Sequence, residues 1–124
     1  MKFATLSIMD HHPSAGRSVP EFYAEVLQQI EAAEALGFHS VWFAEHHFSS
    51  YGVCPAPPVL LSAAAQRTQH IRLSVAVSVL PFHNPLEIAE QYAMVDILSS
   101  PYAEPVSAGE RVCKVAKAER SALT

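Results

Sequence analysis

Glu45, His46 and His47 are three consecutive ionisable side chains, and they follow directly on the apolar run of residues 41–44. An imidazole titrates near neutral pH, so a carboxylate set beside two of them suits general acid and base work or the ligation of a metal ion. Two further clusters share this character: Asp10 with His11 and His12, and His83 with Asn84. Five of the seven histidines lie in these three groups. A metal site is the first alternative, since imidazole and carboxylate bind zinc or iron. Adjacent residues on an extended segment point to opposite sides, however, so His46 and His47 do not grip one ion, and no helical i, i+4 histidine pair or cysteine partner is present. The expectation is no metal. Nucleophilic hydrolysis has no support either, because neither Cys54 nor any serine stands in an elbow motif. For any one histidine the plain reading remains a capped or solvated loop side chain.

Each cluster follows a stretch that reads as a strand. Residues 2–8 alternate Thr5 and Ser7 with Ala4, Leu6 and Ile8. Residues 41–44 are apolar without alternation, as in a strand covered on both faces, and residues 71–80 are rich in valine. Between them lie helix signals. Ser18, Pro20 and Glu21 form a capping box, with Phe22, Val26, Ile30 and Ala33 on one face behind it and Gly37 as the stop. Pro57 and Pro58 open a second helix, rich in leucine and alanine, that is expected to end near His70. Asn84, Pro85 and Glu87 restate the start signals for a third, which runs to about Leu98. His39 and His70 sit at helix ends and read as structural, and Trp42 and Phe43 read as core.

Three strand-to-helix units in succession predict an α/β fold with a parallel sheet and right-handed crossovers. No glycine-rich turn follows the first strand, so a barrel is preferred to an open dinucleotide-binding sheet. In such a barrel the three clusters meet at the carboxyl ends of the strands, where this architecture keeps its sites. The chain has 124 residues, about half of the ~250 that a complete (β/α)8 barrel needs.

Composition narrows the partners. Half the residues are hydrophobic, 16% are charged, and the net charge is −4 with no basic stripe, which argues against nucleic acid. No apolar run approaches the ~18 residues of a membrane span, and no export signal is read at the start. Cys54 and Cys113 fit neither a metal spacing nor a disulfide framework, so a cytoplasmic location is expected. Residues 1–100 carry four basic and nine acidic side chains (net −5) and residues 101–124 carry four and three (net +1), which places a boundary near Ser100. Residues 1–99 are therefore read as a partial barrel domain and 100–124 as a divergent tail, a weak helix or disordered.

The segments GFHSVWFAEHHF, LSVAVSVLPFHNP and AEQYAMVDILS, in this order and spacing, resemble the bacterial luciferase-like flavin-dependent monooxygenases over residues 1 to about 99. That resemblance implies a (β/α)8 TIM barrel that uses reduced FMN and molecular oxygen, with the deazaflavin F420 replacing FMN in some relatives. It also implies a small organic substrate and a flavin reductase as the source of reduced flavin. On the family pattern His46 is similar to the active-site histidine beside the flavin, with Glu45 and His47 supporting it. Ala76 and Val77 match the third-strand segment that lies against the isoalloxazine and that contains a non-prolyl cis bond in some relatives. After DILS the family continues with Gly-Arg, whereas Ser100 and Pro101 stand here and no later strand follows. The chain is accordingly read as a truncated, amino-terminal portion, inactive on its own and given to self-association. The alternative from a different class is a non-catalytic interaction module, a partial barrel that pairs with another chain through the exposed edge of its third strand.

Overall fold

The computed structural model describes residues 1–99. Its elements run in the order β1 (Ala4–Ser7), α1 (Val19–Ala35), β2 (Ser40–Phe43), α2 (Pro57–Ala65), β3 (Arg72–Val75) and α3 (Pro85–Ser99), with short 3-10 turns at Pro13–Ala15 and Leu80–Phe82. The three strands form one sheet in the order β1-β2-β3, and both pairings are parallel. The expected tail at 100–124 lies outside the described residues.

Register decides what each face of the sheet holds. Thr5, Val41 and Leu73 stand side by side, as do Ser7, Phe43 and Val75. Val41, Phe43, Leu73 and Val75 join Phe22, Val26, Ile30 and Ala33 of α1 and Leu61, Ala64 and Ala65 of α2 in one core. The opposite face carries Leu6, Trp42 and Ser74 in one row and Ala4, Ser40 and Arg72 in the next. Trp42 is half-buried on that side, its indole N–H donating to Ser40 Oγ at 2.9 Å. Phe43 is core as expected, while Leu6 is 62% exposed on the face that no helix of the described residues covers.

The capping box at Ser18 forms in full: the hydroxyl accepts from the Glu21 N–H, and the Glu21 carboxylate accepts from the Ser18 N–H at 2.8 Å. Two orphan donors at the helix start are satisfied in this way. Gly37 comes after the helix at φ 78°, a conformation that glycine adopts without steric cost. Near the end of α1, Glu34 reaches across to the segment just before β3, its carboxylate accepting the N–H groups of Gln69, His70 and Ile71. Burial opposes ionisation of Glu34, but these three donors outweigh it and hold its pKa below the usual value.

Two elements are shorter than their composition suggests. The second helix stops at Ala65 and not near His70, because the Thr68 hydroxyl and the Arg67 N–H both donate to the Ala64 carbonyl and close the last turn. The third strand ends at Val75 and not at Leu80. Ala76 N–H still donates to the Phe43 carbonyl at 2.8 Å, but Val79 N–H donates to a Glu45 carboxylate oxygen, which takes the chain out of the sheet. At α3 the Asn84 side chain accepts the Leu86 N–H at 2.9 Å, as its position before Pro85 predicts. No helix among the described residues is long and apolar enough to cross a membrane.

Candidate active site

Glu45 leaves β2 two residues beyond its last paired position, with a side chain closed to solvent. Its Oε1 accepts from His47 Nε2 at 2.6 Å and from His83 Nε2 at 2.7 Å, and its Oε2 accepts the Val79 N–H at 3.0 Å. Parallel pairing of β2 with β3 creates this cluster, because it brings residues that are 38 positions apart to the same end of the sheet. Burial pushes the Glu45 pKa up, but the hydrogen bonds from His47, His83 and Val79, with the charge of His83, more than reverse this, so the carboxyl titrates below its ordinary range. The His47 ring also meets Phe82 edge-on, centroids 5.1 Å apart.

His46 points elsewhere. Its backbone N–H donates to the Cys54 carbonyl at 2.9 Å, its ring meets Tyr51 edge-to-face at 6.3 Å, and its Nε2 is shielded from solvent with no hydrogen-bond partner among the described residues. The loop that carries it is stitched to the loop after β1. His11 N–H donates to the Tyr51 carbonyl at 2.9 Å, Val53 N–H to the Met9 carbonyl at 3.0 Å, and Asp10 and Gly52 form an antiparallel bridge. The Tyr23 hydroxyl adds a bond from α1 to the Val53 carbonyl.

The three sequence clusters therefore do different things. Glu45 joins His47 and His83. His12 pairs with Asp10 at 2.9 Å, and His11 Nε2 donates to the Arg17 carbonyl at 2.8 Å, beneath the edge of Phe22. The peptide bond between Ala76 and Val77 is cis, at the position that the family pattern indicates. Ala76 and Val77 are both exposed, Val77 at 60%. His83 and Gly52 stand outside the site residues that the family pattern names; for His83 the available signal was its place after the valine-rich run 71–80 that reads as the third strand.

Metal ligation takes a different form in three dimensions. The His46 ring lies against Tyr51, whereas His47 Nε2 faces Glu45. The donor atoms of Glu45, His47 and His83, in contrast, lie within 4.8 Å of one another. Both imidazole Nε2 atoms face the same carboxylate oxygen, Glu45 Oε1.

The family model described as Luciferase-like monooxygenase matches residues 1–101. The chain belongs to this family. The oxygenase component of the flavin-dependent trigonelline monooxygenase of Acinetobacter baylyi is 32% identical over 80 residues, which are 64% of this chain and 22% of that protein. Among solved structures, the monooxygenase RslO1 of Streptomyces bottropensis superposes with a TM-score of 0.76 at 34% identity, covering 90% of this chain and 31% of RslO1. The oxygenating constituent of 3,6-diketocamphane monooxygenase of Pseudomonas putida, solved in complex with FMN, gives 0.74 at 19% identity and covers 99% and 37%. The coenzyme F420 dependent tetrahydromethanopterin reductase of Methanopyrus kandleri gives 0.62 at 20% identity. The last two likenesses show the fold alone. The chain thus spans between a fifth and two fifths of the lengths of the first three of these relatives.

Proposed function

We propose that these residues form the wall of a flavin-dependent monooxygenase site that faces the isoalloxazine, with reduced FMN as cofactor and a small organic molecule and O2 as co-substrates. The observation that carries this reading is the enclosed, unpartnered Nε2 of His46 at the carboxyl end of a parallel sheet. A buried polar nitrogen without a partner costs free energy, and a ligand heteroatom placed there removes that cost. The residues present fit a flat, largely apolar ring. Ala76 and Val77 offer exposed apolar surface beside the strand ends, and His46 offers one directional hydrogen bond. Reduced flavin, when bound, supplies the electrons for oxygen activation. Glu45 holds the His47 and His83 rings by their Nε2 protons, and His46 holds or gives a proton at its Nε2.

FMN is preferred to F420 because a sequence relative is named as flavin-dependent, whereas the F420-dependent neighbour shares the fold alone. That sequence relative is an oxygenase component, and a separate flavin reductase fits the same arrangement here. Among the described residues Arg17 pairs with Glu25 and Arg67 with Glu31, while Lys2 and Arg72 belong to the amino ends of the strands. No unpaired cation among them therefore faces a phosphate at the site, and recognition by these residues is of the ring. Fluorescence titration of the 124-residue chain with FMN and with riboflavin tests this. Weak quenching of both, with dissociation constants within about threefold of each other and above about 100 μM, is expected, and His46→Ala and Val77→Asp should each weaken both. Quenching unaffected by either variant, or no quenching at millimolar flavin, would overturn the reading.

A second reading has an observation of its own. A groove of about 340 Å3 opens beside β1, lined by Leu6, Ile8, Phe22, Val26 and Ile30 among others, and it suits association through the β1 edge.

A further inference from the structure

We infer that Gly52 is a positioning residue for His46, because the imidazole occupies the space that any side chain at position 52 would need. A Cβ built on Gly52 would lie 2.4 Å from His46 Cδ2, 2.5 Å from Cγ and 2.6 Å from Cβ. Carbon atoms in favourable contact stand about 3.5–4.0 Å apart, so these distances describe overlap with the near part of the side chain and not with a flexible tip.

The usual reason for a glycine does not apply here. Gly16 and Gly37 have positive φ angles of 71° and 78°, and a Cβ on either would meet nothing within 4 Å. Gly52 is the reverse case: its φ is not positive, and only space forbids a side chain. Backbone conformation would admit alanine at 52, and His46 excludes it.

Neither partner can retreat freely. Residues 51–53 are tied to the loop after β1 through the Tyr51 and Val53 hydrogen bonds and the Asp10–Gly52 bridge, and Ser49 Oγ accepts the N–H groups of Tyr51 at 3.0 Å and Gly52 at 3.4 Å. Met9, whose carbonyl receives the Val53 N–H, is fully buried. On the other side, the His46 backbone is held at the Cys54 carbonyl. Rotation of the His46 side chain, out of its edge-to-face contact with Tyr51, relieves the overlap with Cγ and Cδ2 but leaves Cβ in place, so a methyl group at 52 both turns the ring and displaces the backbone of one of the two loops. A methyl group at 52 is read out at the Nε2 that the functional proposal assigns to the cofactor; only that last step rests on the proposal.

The test is a cycle of Gly52→Ala, His46→Gly and the double variant in the full 124-residue chain, monitored by thermal unfolding and by NMR of the histidine rings. In the unmodified chain a cross-peak between His46 Hδ2 and the Gly52 Hα protons is expected. Gly52→Ala should shift the His46 Cδ2–Hδ2 resonance, weaken its cross-peaks to Tyr51 and lower the unfolding midpoint by roughly 5–15 °C. In the His46→Gly background the same change should lower the midpoint by less than about 2 °C. If Gly52→Ala alone does not fold and the double variant does, the inference stands. Equal losses in both backgrounds, or a double variant that fails where His46→Gly folds, overturn it. Absence of the His46–Gly52 cross-peak in the unmodified chain overturns it without any variant. Flavin quenching measured on the same samples reports on the functional proposal separately: its absence with the coupling intact removes the role of His46 and leaves that of Gly52.

Discussion

Replacing Glu45 with glutamine keeps the shape of a fully buried side chain, removes its charge and leaves three donors converging on a group that can no longer accept them all. Two imidazole N–H groups approach Oε1 at 2.6 and 2.7 Å, and the Val79 N–H approaches Oε2 at 3.0 Å. A carboxylate accepts all three, whereas an amide has one oxygen and turns an NH2 group toward either the imidazoles or Val79. At least one donor is then set against another. Hydrogen bonds to a charged group contribute about 1.5–3 kcal/mol each, and a buried donor left without a partner costs about 1–3 kcal/mol. With partial repair by a tautomer change at one histidine, a net loss of roughly 2–4 kcal/mol is expected at pH 7. Urea unfolding monitored by circular dichroism measures it as a lower midpoint at unchanged slope. The pH dependence has a definite sign. The folded-state pKa of Glu45 lies below its usual value of 4.5, so its contribution is present in full above that value and is lost as pH falls through the folded pKa. The gap between wild type and Glu45→Gln should therefore close on acidification below about pH 4.5. A difference under about 0.5 kcal/mol at pH 7, or a gap that widens in acid, would refute this account of the cluster.

Burial pushes the Cys54 thiol up to about 11, with the Ala56 backbone bond opposing and the Glu45 charge adding to the rise. Peptide-resolved mass spectrometry after alkylation at pH 8 should show Cys54 reacting on the order of a hundredfold more slowly in the folded chain than in the denatured one, and equal rates would refute its burial. The apolar surface at Leu6 and Ile97, 62% and 70% exposed, should drive concentration-dependent association in sedimentation runs. Leu6→Lys should weaken it, and a monodisperse monomer at all concentrations would count against both this expectation and the interaction reading.

Local signals were legible where the interaction itself is local. Ser18, Pro20 and Glu21 satisfy donors within one helical turn, so the capping box can be read from three residues and their spacing. The buried stripe of Phe22, Val26, Ile30 and Ala33 can be read from helical periodicity in the same way. The ends of α2 and β3 were not legible, because competing hydrogen-bond partners decide them. The Ala64 carbonyl takes the Thr68 hydroxyl, and a carboxylate from 34 residues earlier takes the Val79 N–H. Composition favours continuation in both places.

The sequence by itself determined the parallel α/β class, the family and the carboxyl-end location of the ionisable residues, since each of these rests on patterns that recur along the chain. Tertiary structure alone decided the partners. It separated His46 from His47 although they are neighbours, and it joined His47 to His83 through Glu45 because parallel register makes strand ends adjacent whatever the distance along the chain. It also gave Gly52 its role, since the space beside an imidazole is a property of two loops brought together and of neither alone.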